Sequence, residues 1–250
     1  MRVRALRHAG ATVAVASLAL ALTACGGAED KKTDDSGKAD ASASAAAKPD
    51  VKALSAAELD KLVVGPADLK GHRVEKAKPA DILNPGDVSA DKPVCQPLAQ
   101  AMSWVAPGTP GASVVRKVIE IPTKTGSAAD AMGALGAPIT SVTLGSYAGE
   151  GAQQAFASLK TAGTDCAGGF TLNSSGSKTK VSKVAPATLT AGDEALAWTV
   201  TSDMEGEPFV TNLVVVRKGN NLAGFATMSL AGEVKELPKA VVDAQSAKLR

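Results

Sequence analysis

Three textures follow one another along the chain. Residues 11–22 are almost unbroken apolar sequence, and residues 26 to about 51 hold Ala, Ser, Asp, Lys and Gly with almost no large apolar side chain. Beyond that, apolar positions recur with the spacings of helices and strands. Ser55-Ala56-Ala57-Glu58 has the form of a capping box: the serine hydroxyl takes the N–H three residues on, and the glutamate returns the bond. It predicts a short helix with Leu59, Leu62 and Val63 on one side, ended by Gly65-Pro66. Residues 66–69 form a further turn, 72–78 a short strand, and Asn84-Pro85-Gly86-Asp87 a loop. A second helix is expected over 95–104, with Leu98, Met102 and Val105 apolar and Cys95 near its start.

Residues 114–121, rich in β-branched side chains and bounded by Pro107-Gly108 and Pro122, predict a strand, and 139–147 another. Weak helical spacing lies between them at 128–135. A helix over 152–161 places Ala152, Ala155, Phe156 and Leu159 on one face, with Gly163 as its expected stop. Strands then dominate. Residues 170–173 and 178–185 flank the hairpin signal Ser174-Ser175-Gly176, and 195–202 put Leu196, Trp198 and Val200 on one face. After a loop at 203–208, residues 209–217 are nearly all apolar, which suggests a central strand. A turn at 218–221 leads into a strand over 222–229, and Pro238 sits near the first turn of a last helix over 237–249. Helices and strands are segregated rather than alternating. The expected fold is therefore α+β, a single domain with a mainly antiparallel twisted sheet packed against several helices.

The first texture gives an address. Arg2, Arg4 and Arg7 precede the apolar run, and small residues follow it, as in a secretory signal. The run is short of the roughly 20 residues a membrane-spanning helix needs. It ends in Leu22-Thr23-Ala24-Cys25 with Gly26-Gly27 behind, which reads as a lipobox. Cys25 is then the lipidated first residue of the mature chain, its thiol supplying the thioether. The alternatives are an uncleaved anchor or an ordinary signal cleaved nearby. The organisation expected is a lipoprotein signal peptide at 1–24, a disordered tether at 25–51 whose composition cannot bury enough surface to order itself, and a folded extracytoplasmic body at 52–250.

Composition sharpens this in two respects. Apolar residues make up 45% but aromatics only 3%, so aliphatic and alanine side chains carry the packing. Removing Arg2, Arg4 and Arg7 leaves 24 of the 27 basic residues against 25 acidic ones, a formal charge of about −1. A near-neutral body lacks the concentrated basic face that nucleic-acid binding requires. Besides Cys25 there are two cysteines, Cys95 and Cys166. In an oxidising compartment they form an even pair, and a structural disulfide is expected. Closing a loop of about 70 residues would stabilise by roughly 4 kcal/mol in the chain-entropy account. Two buried free thiols are the alternative.

No Gly-x-Ser-x-Gly elbow, P-loop, H-E-x-x-H or dinucleotide glycine fingerprint occurs. A Ser-His-Asp hydrolase would have to use His72, the one histidine beyond the leader, which reads as an exposed or capped surface residue. No catalytic residue, cofactor or metal ligand is assigned, and the chain is not expected to be an enzyme. The helix start at Gly149-Glu150-Gly151 could offer N–H groups to an anion, and the acidic loop of Asp203, Glu205 and Glu207 a weak cation site; both have plainer readings, as flexible chain and as a solvated tip. Trp104, Tyr147, Trp198, Phe209 and Phe225 are candidates to line an apolar pocket, with core packing as the default for at least Trp198 and Phe209.

Gly192-Asp193-Glu194-Ala195, the strand bearing Trp198, and Val214-Val215-Val216-Arg217-Lys218-Gly219-Asn220 before another strand resemble the PknH-like extracellular sensor domain. Leu62-Val63-Val64-Gly65-Pro66-Ala67-Asp68-Leu69 also fits the way such domains begin. The domain occurs on actinobacterial receptor kinases and on many lipoproteins, and the resemblance would span about 52–250. It implies a twisted antiparallel sheet with helices around a cleft, and extracytoplasmic ligand sensing or binding. Members often hold two disulfides, whereas this chain has cysteines for one beyond Cys25. The LpqN-type lipoproteins, which share the lipobox and a compact α+β body, are an alternative. The function expected is a membrane-anchored sensor-like module for a small-molecule, lipid or envelope-protein ligand. An accessory protein docking onto an envelope partner comes next, and a cell-envelope hydrolase last.

Overall fold

A computed structural model describes residues 51–122, 136–231 and 234–249. Cys25, the leader at 1–24, nearly all of the tether at 25–51 and the helix expected over 128–135 lie outside the described residues. Within them the strands are β1 (His72–Lys76), β2 (Val88–Ala90), β3 (Ala112–Glu120), β4 (Ile139–Ser146), β5 (Phe170–Ser174), β6 (Ser177–Ala187), β7 (Glu194–Met204), β8 (Glu207–Lys218) and β9 (Asn221–Met228). They form one nine-stranded sheet in the order β1-β3-β4-β9-β8-β7-β6-β5-β2, every described pairing antiparallel. The helices are α1 (Ala56–Leu62), α2 (Gln96–Met102), α3 (Gly151–Asp165) and α4 (Lys239–Lys248). The α+β fold expected from the segregated pattern is the fold observed.

Both faces of this sheet are covered. On one, α2 and α3 pack over Trp198, Val200, Leu213, Val215 and Leu222; on the other, α1 and α4 pack over Val142, Leu144, Val214, Val216 and Phe225. This is why 209–217 reads as continuously apolar: in β8, Leu213, Val214, Val215 and Val216 are all fully buried, alternately toward the two helix layers. In the meander from β5 to β9, the β5–β6 and β7–β8 connections are two-residue turns. Ser175-Gly176 (φ 47° and 82°) and Glu205-Gly206 (φ 57° and 92°) have the left-handed pair of residues that matches the twist of the flanking strands. The loop expected at 203–208 is thus a two-residue hairpin tip, with β7 running to Met204 and β8 starting at Glu207.

Two helix boundaries differ from expectation for physical reasons. α3 does not stop at Gly163 but runs on to Asp165. Gly163 serves packing instead, since a Cβ there would stand 2.4 Å from the indole nitrogen of Trp198. Helix α2 ends at Met102 rather than running through Trp104. The Trp104 N–H bonds Ala101 O and the Val105 N–H bonds Gln100 O (2.9 Å), a Schellman ending with Trp104 in the left-handed position at φ 63°. That position is normally glycine, so the sequence carried no stop signal there. The strand β2 was also missed, its three residues being too short for a pattern and paired to β5 far along the chain.

Each helix layer has its own fastening. Cys95 and Cys166, both fully buried, form a disulfide that joins the start of α2 to the end of α3 (Cα–Cα 5.9 Å). On the other face, the fully buried Gln245 of α4 accepts from the Val64 N–H (2.9 Å) and donates to Leu62 O (3.0 Å), closing the C-terminal end of α1. Lys248 adds an ion pair to Asp68 (2.7 Å). The expected capping box opens α1, with Ser55 N–H bonded to Glu58 at 2.8 Å.

Candidate functional site

On the α1/α4 face a cleft of about 460 Å³ opens between the sheet and the segment 234–241 that leads into α4. Its floor comes from Val118 of β3, Thr140 of β4 and Thr227 of β9. β4 and β9 pair with Thr140 opposite Thr227, and this register brings the two hydroxyls to 2.9 Å. Both residues are almost fully buried, a polar pair set in an otherwise apolar floor. The opposite wall carries Val234, Leu237, Pro238 and Val241.

The start of that wall is braced by a side chain of the sheet. Asn212 of β8, 2% exposed, donates both amide hydrogens to backbone carbonyls of the segment, Val234 O (3.1 Å) and Glu236 O (2.9 Å). Its own carbonyl accepts from the Thr199 hydroxyl at 3.1 Å. A fully satisfied buried amide is worth keeping in an apolar core because breaking it would orphan several groups at once.

The mouth is mixed in charge, with Glu120 and Glu236 against Lys235 and Lys239. His72 of β1 lies opposite Glu120 in the register and is half-buried at the rim. Its Nδ1 stands 3.0 Å from Lys70 O; a carbonyl can only accept, so Nδ1 carries the hydrogen and Nε2 is the free ring nitrogen. The capped reading of this histidine therefore holds, with the added fact that it borders a cleft. The described lining contains no serine or cysteine beside it, and Thr140 and Thr227 bond each other.

A second concavity of about 460 Å³, shallower and more open, lies on the α2/α3 face. It runs between the C-terminal end of α2 (Met102, Ser103, Trp104), Asp81 and Leu83, and the β5–β6 hairpin (Leu172, Ser174, Ser177, Thr179). Lys117 of β3 stands over the Trp104 ring (5.9 Å to its centre) and pairs with Asp81 (3.0 Å). That hydrogen bond and the Lys78 N–H hold the Asp81 carboxyl below the usual range.

Of the five aromatic candidates, Tyr147, Trp198 and Phe225 are core residues. The Tyr147 hydroxyl donates to Pro107 O (2.6 Å), and burial pushes its pKa up. Phe209 is half-buried in β8, and Trp104 alone among the five lines a described concavity. The acidic tip of Asp203, Glu205 and Glu207 is exposed, and Asp203 accepts from the Gly206 N–H (2.8 Å), the plain hairpin reading. No group of three metal-ligating side chains converges among the described residues. At the start of α3 the N-cap is Glu150, whose carboxylate opposes an anion.

No protein-family model matches the chain, and no curated protein does. Among solved structures, the extracellular domain of PknH from Mycobacterium tuberculosis is similar, with a TM-score of 0.44 and 13% sequence identity over 79% of this chain and 95% of that one. No described helix is long and apolar enough to cross a membrane.

Proposed function

We propose that this chain is a lipid-anchored extracytoplasmic lipoprotein whose folded body is a sensor-like binding module. The ligand site is the cleft between the β3–β4–β9 floor and the segment 234–241. The observation that carries the reading is that cleft, a concavity in which the apolar side chains of Val118, Val234, Leu237 and Val241 meet one buried hydroxyl pair, with charged groups around the mouth. The Cys95–Cys166 disulfide supports an oxidising compartment. The lipobox at Cys25 supports anchoring on the outer face of the membrane. A small amphipathic ligand suits the lining, with the apolar part against Leu237 and Val241 and polar groups toward Thr140, Thr227 and the rim.

Replacing Cys25 with Ser should move the protein from the membrane fraction to the soluble one; retention in the membrane would overturn the anchor. Organic extraction of purified protein should release a small molecule that is absent from an Asn212→Ala variant, whose cleft wall has lost its anchor. A second reading, docking onto an envelope protein, is favoured by Ile121 and Leu230, 51% and 74% exposed, which follow β3 and β9. Crosslinking to one envelope protein that Ile121→Asp and Leu230→Asp abolish together would select it.

A further inference from the structure

The groove on the α2/α3 face has features that core packing does not require. Trp104 occupies a left-handed backbone position, where a bulky side chain is strained and glycine would be cheaper. The strain is held in place: the Thr143 hydroxyl donates to Trp104 O (3.1 Å), and the Schellman bonds fix the residues on either side. Strain of this kind, over-determined by its surroundings, is a reason to look for function where the side chain goes. The indole goes to the wall of an open groove, half-buried, with Met102, Leu83 and Leu172 continuing the apolar surface.

The same lining carries the hydroxyl of Ser103, beside Trp104 at the end of α2, and those of Ser174, Ser177 and Thr179 on the β5–β6 hairpin, where Leu172 lies opposite Thr179; none of the four has a hydrogen-bond partner among the described residues. Asp81 is the one charged residue in the described lining, and Lys117 already neutralises it. The described lining offers a ligand no unpaired charge. It fits a molecule without net charge that presents both apolar C–H surface and neutral hydroxyl groups. We propose that the groove binds a pyranose unit of a neutral glycan, stacked on the face of the Trp104 ring away from Lys117 with its hydroxyl groups toward the β5–β6 hairpin. This site is separate from the cleft on the opposite face of the sheet and does not depend on it.

The test follows the two indole N–H resonances of the full-length chain by NMR during titration with maltoheptaose, cellohexaose and chitohexaose. Trp198 is buried in the core and serves as the internal control. The expected result is a saturable shift of the Trp104 resonance, with Trp198 unmoved, for at least one of the three sugars. Trp104→Ala should weaken that binding about tenfold or more by isothermal titration, and Trp104→Phe by less, since a smaller ring keeps part of the stacking surface. An undisturbed Trp198 resonance in each variant shows that the fold is intact. No shift of Trp104 with any of the three sugars overturns the proposal, as does binding that survives Trp104→Ala unchanged.

Discussion

On one face of the sheet, α2 and α3 are joined by a covalent bond between two buried sulfurs; on the other, α1 and α4 are joined by the amide of Gln245. The contrast extends to the concavities. The groove beside Trp104 sits at the end of a helix whose start is stapled. The cleft has a wall whose start accepts two hydrogen bonds from Asn212. A disulfide restricts the unfolded chain and leaves little local freedom in the folded one, whereas hydrogen-bonded segments can open locally at a fraction of the global free energy. The proposed ligand cleft thus lies on the face that has no covalent crosslink.

The comparison can be broken most severely at the staple. Replacing Cys95 and Cys166 together with Ala should cost about 4 kcal/mol of global stability, read as a lower urea midpoint. Hydrogen exchange in the variant should rise first in α2 and α3; equal loosening of α1 and α4 would mean the two layers are not held independently. Gln245→Ala comes next. It orphans the buried Val64 N–H and Leu62 carbonyl, at about 2–3 kcal/mol, and should loosen α1 and α4 while sparing the disulfide face. Gly163→Ala forces a methyl against Trp198 and should cost about 2 kcal/mol, with a change in the near-ultraviolet signal of that indole.

The smallest expected effect is electrostatic. Hydrogen bonds from Lys76 and Arg116 hold the Asp60 carboxyl below its ordinary value. A depressed carboxyl contributes stability that is full above its unfolded value, about pH 4, and is lost as pH falls through its lower folded value. Asp60→Asn should therefore lower stability slightly at neutral pH, by about 1 kcal/mol or less for so accessible a carboxylate, and flatten the acid limb of a stability–pH curve. An unchanged acid limb would show that Asp60 contributes nothing.

Much of the fold is written locally. The capping box at Ser55 and Glu58, the apolar run 209–217 and the hairpin signal at Ser175-Gly176 each specify an element from adjacent residues. The disulfide is legible from cysteine parity once Cys25 is set aside. What stays hidden depends on tertiary placement. Gly163 reads as a stop until Trp198 is seen against it, and Trp104 gives no sign of a helix end because its left-handed turn is held by Thr143, far along the chain. A cleft is implied by the family resemblance, but none of the residues that line it is legible. Thr140 and Thr227 meet only through the register of β4 and β9, and Asn212 is an ordinary polar residue in an apolar strand until the segment at 234–236 comes to rest on it.

The central claim is that the cleft on the uncrosslinked face holds a ligand, and native mass spectrometry of the chain purified from its producing cells tests it most directly. Ala240 lines the cleft from the exposed first turn of α4, so Ala240→Trp should fill the space without disturbing the core. The expected result is a discrete adduct on the wild-type chain that is missing from Ala240→Trp. A wild-type chain that flies without any adduct, or an adduct carried equally by both, would contradict the account.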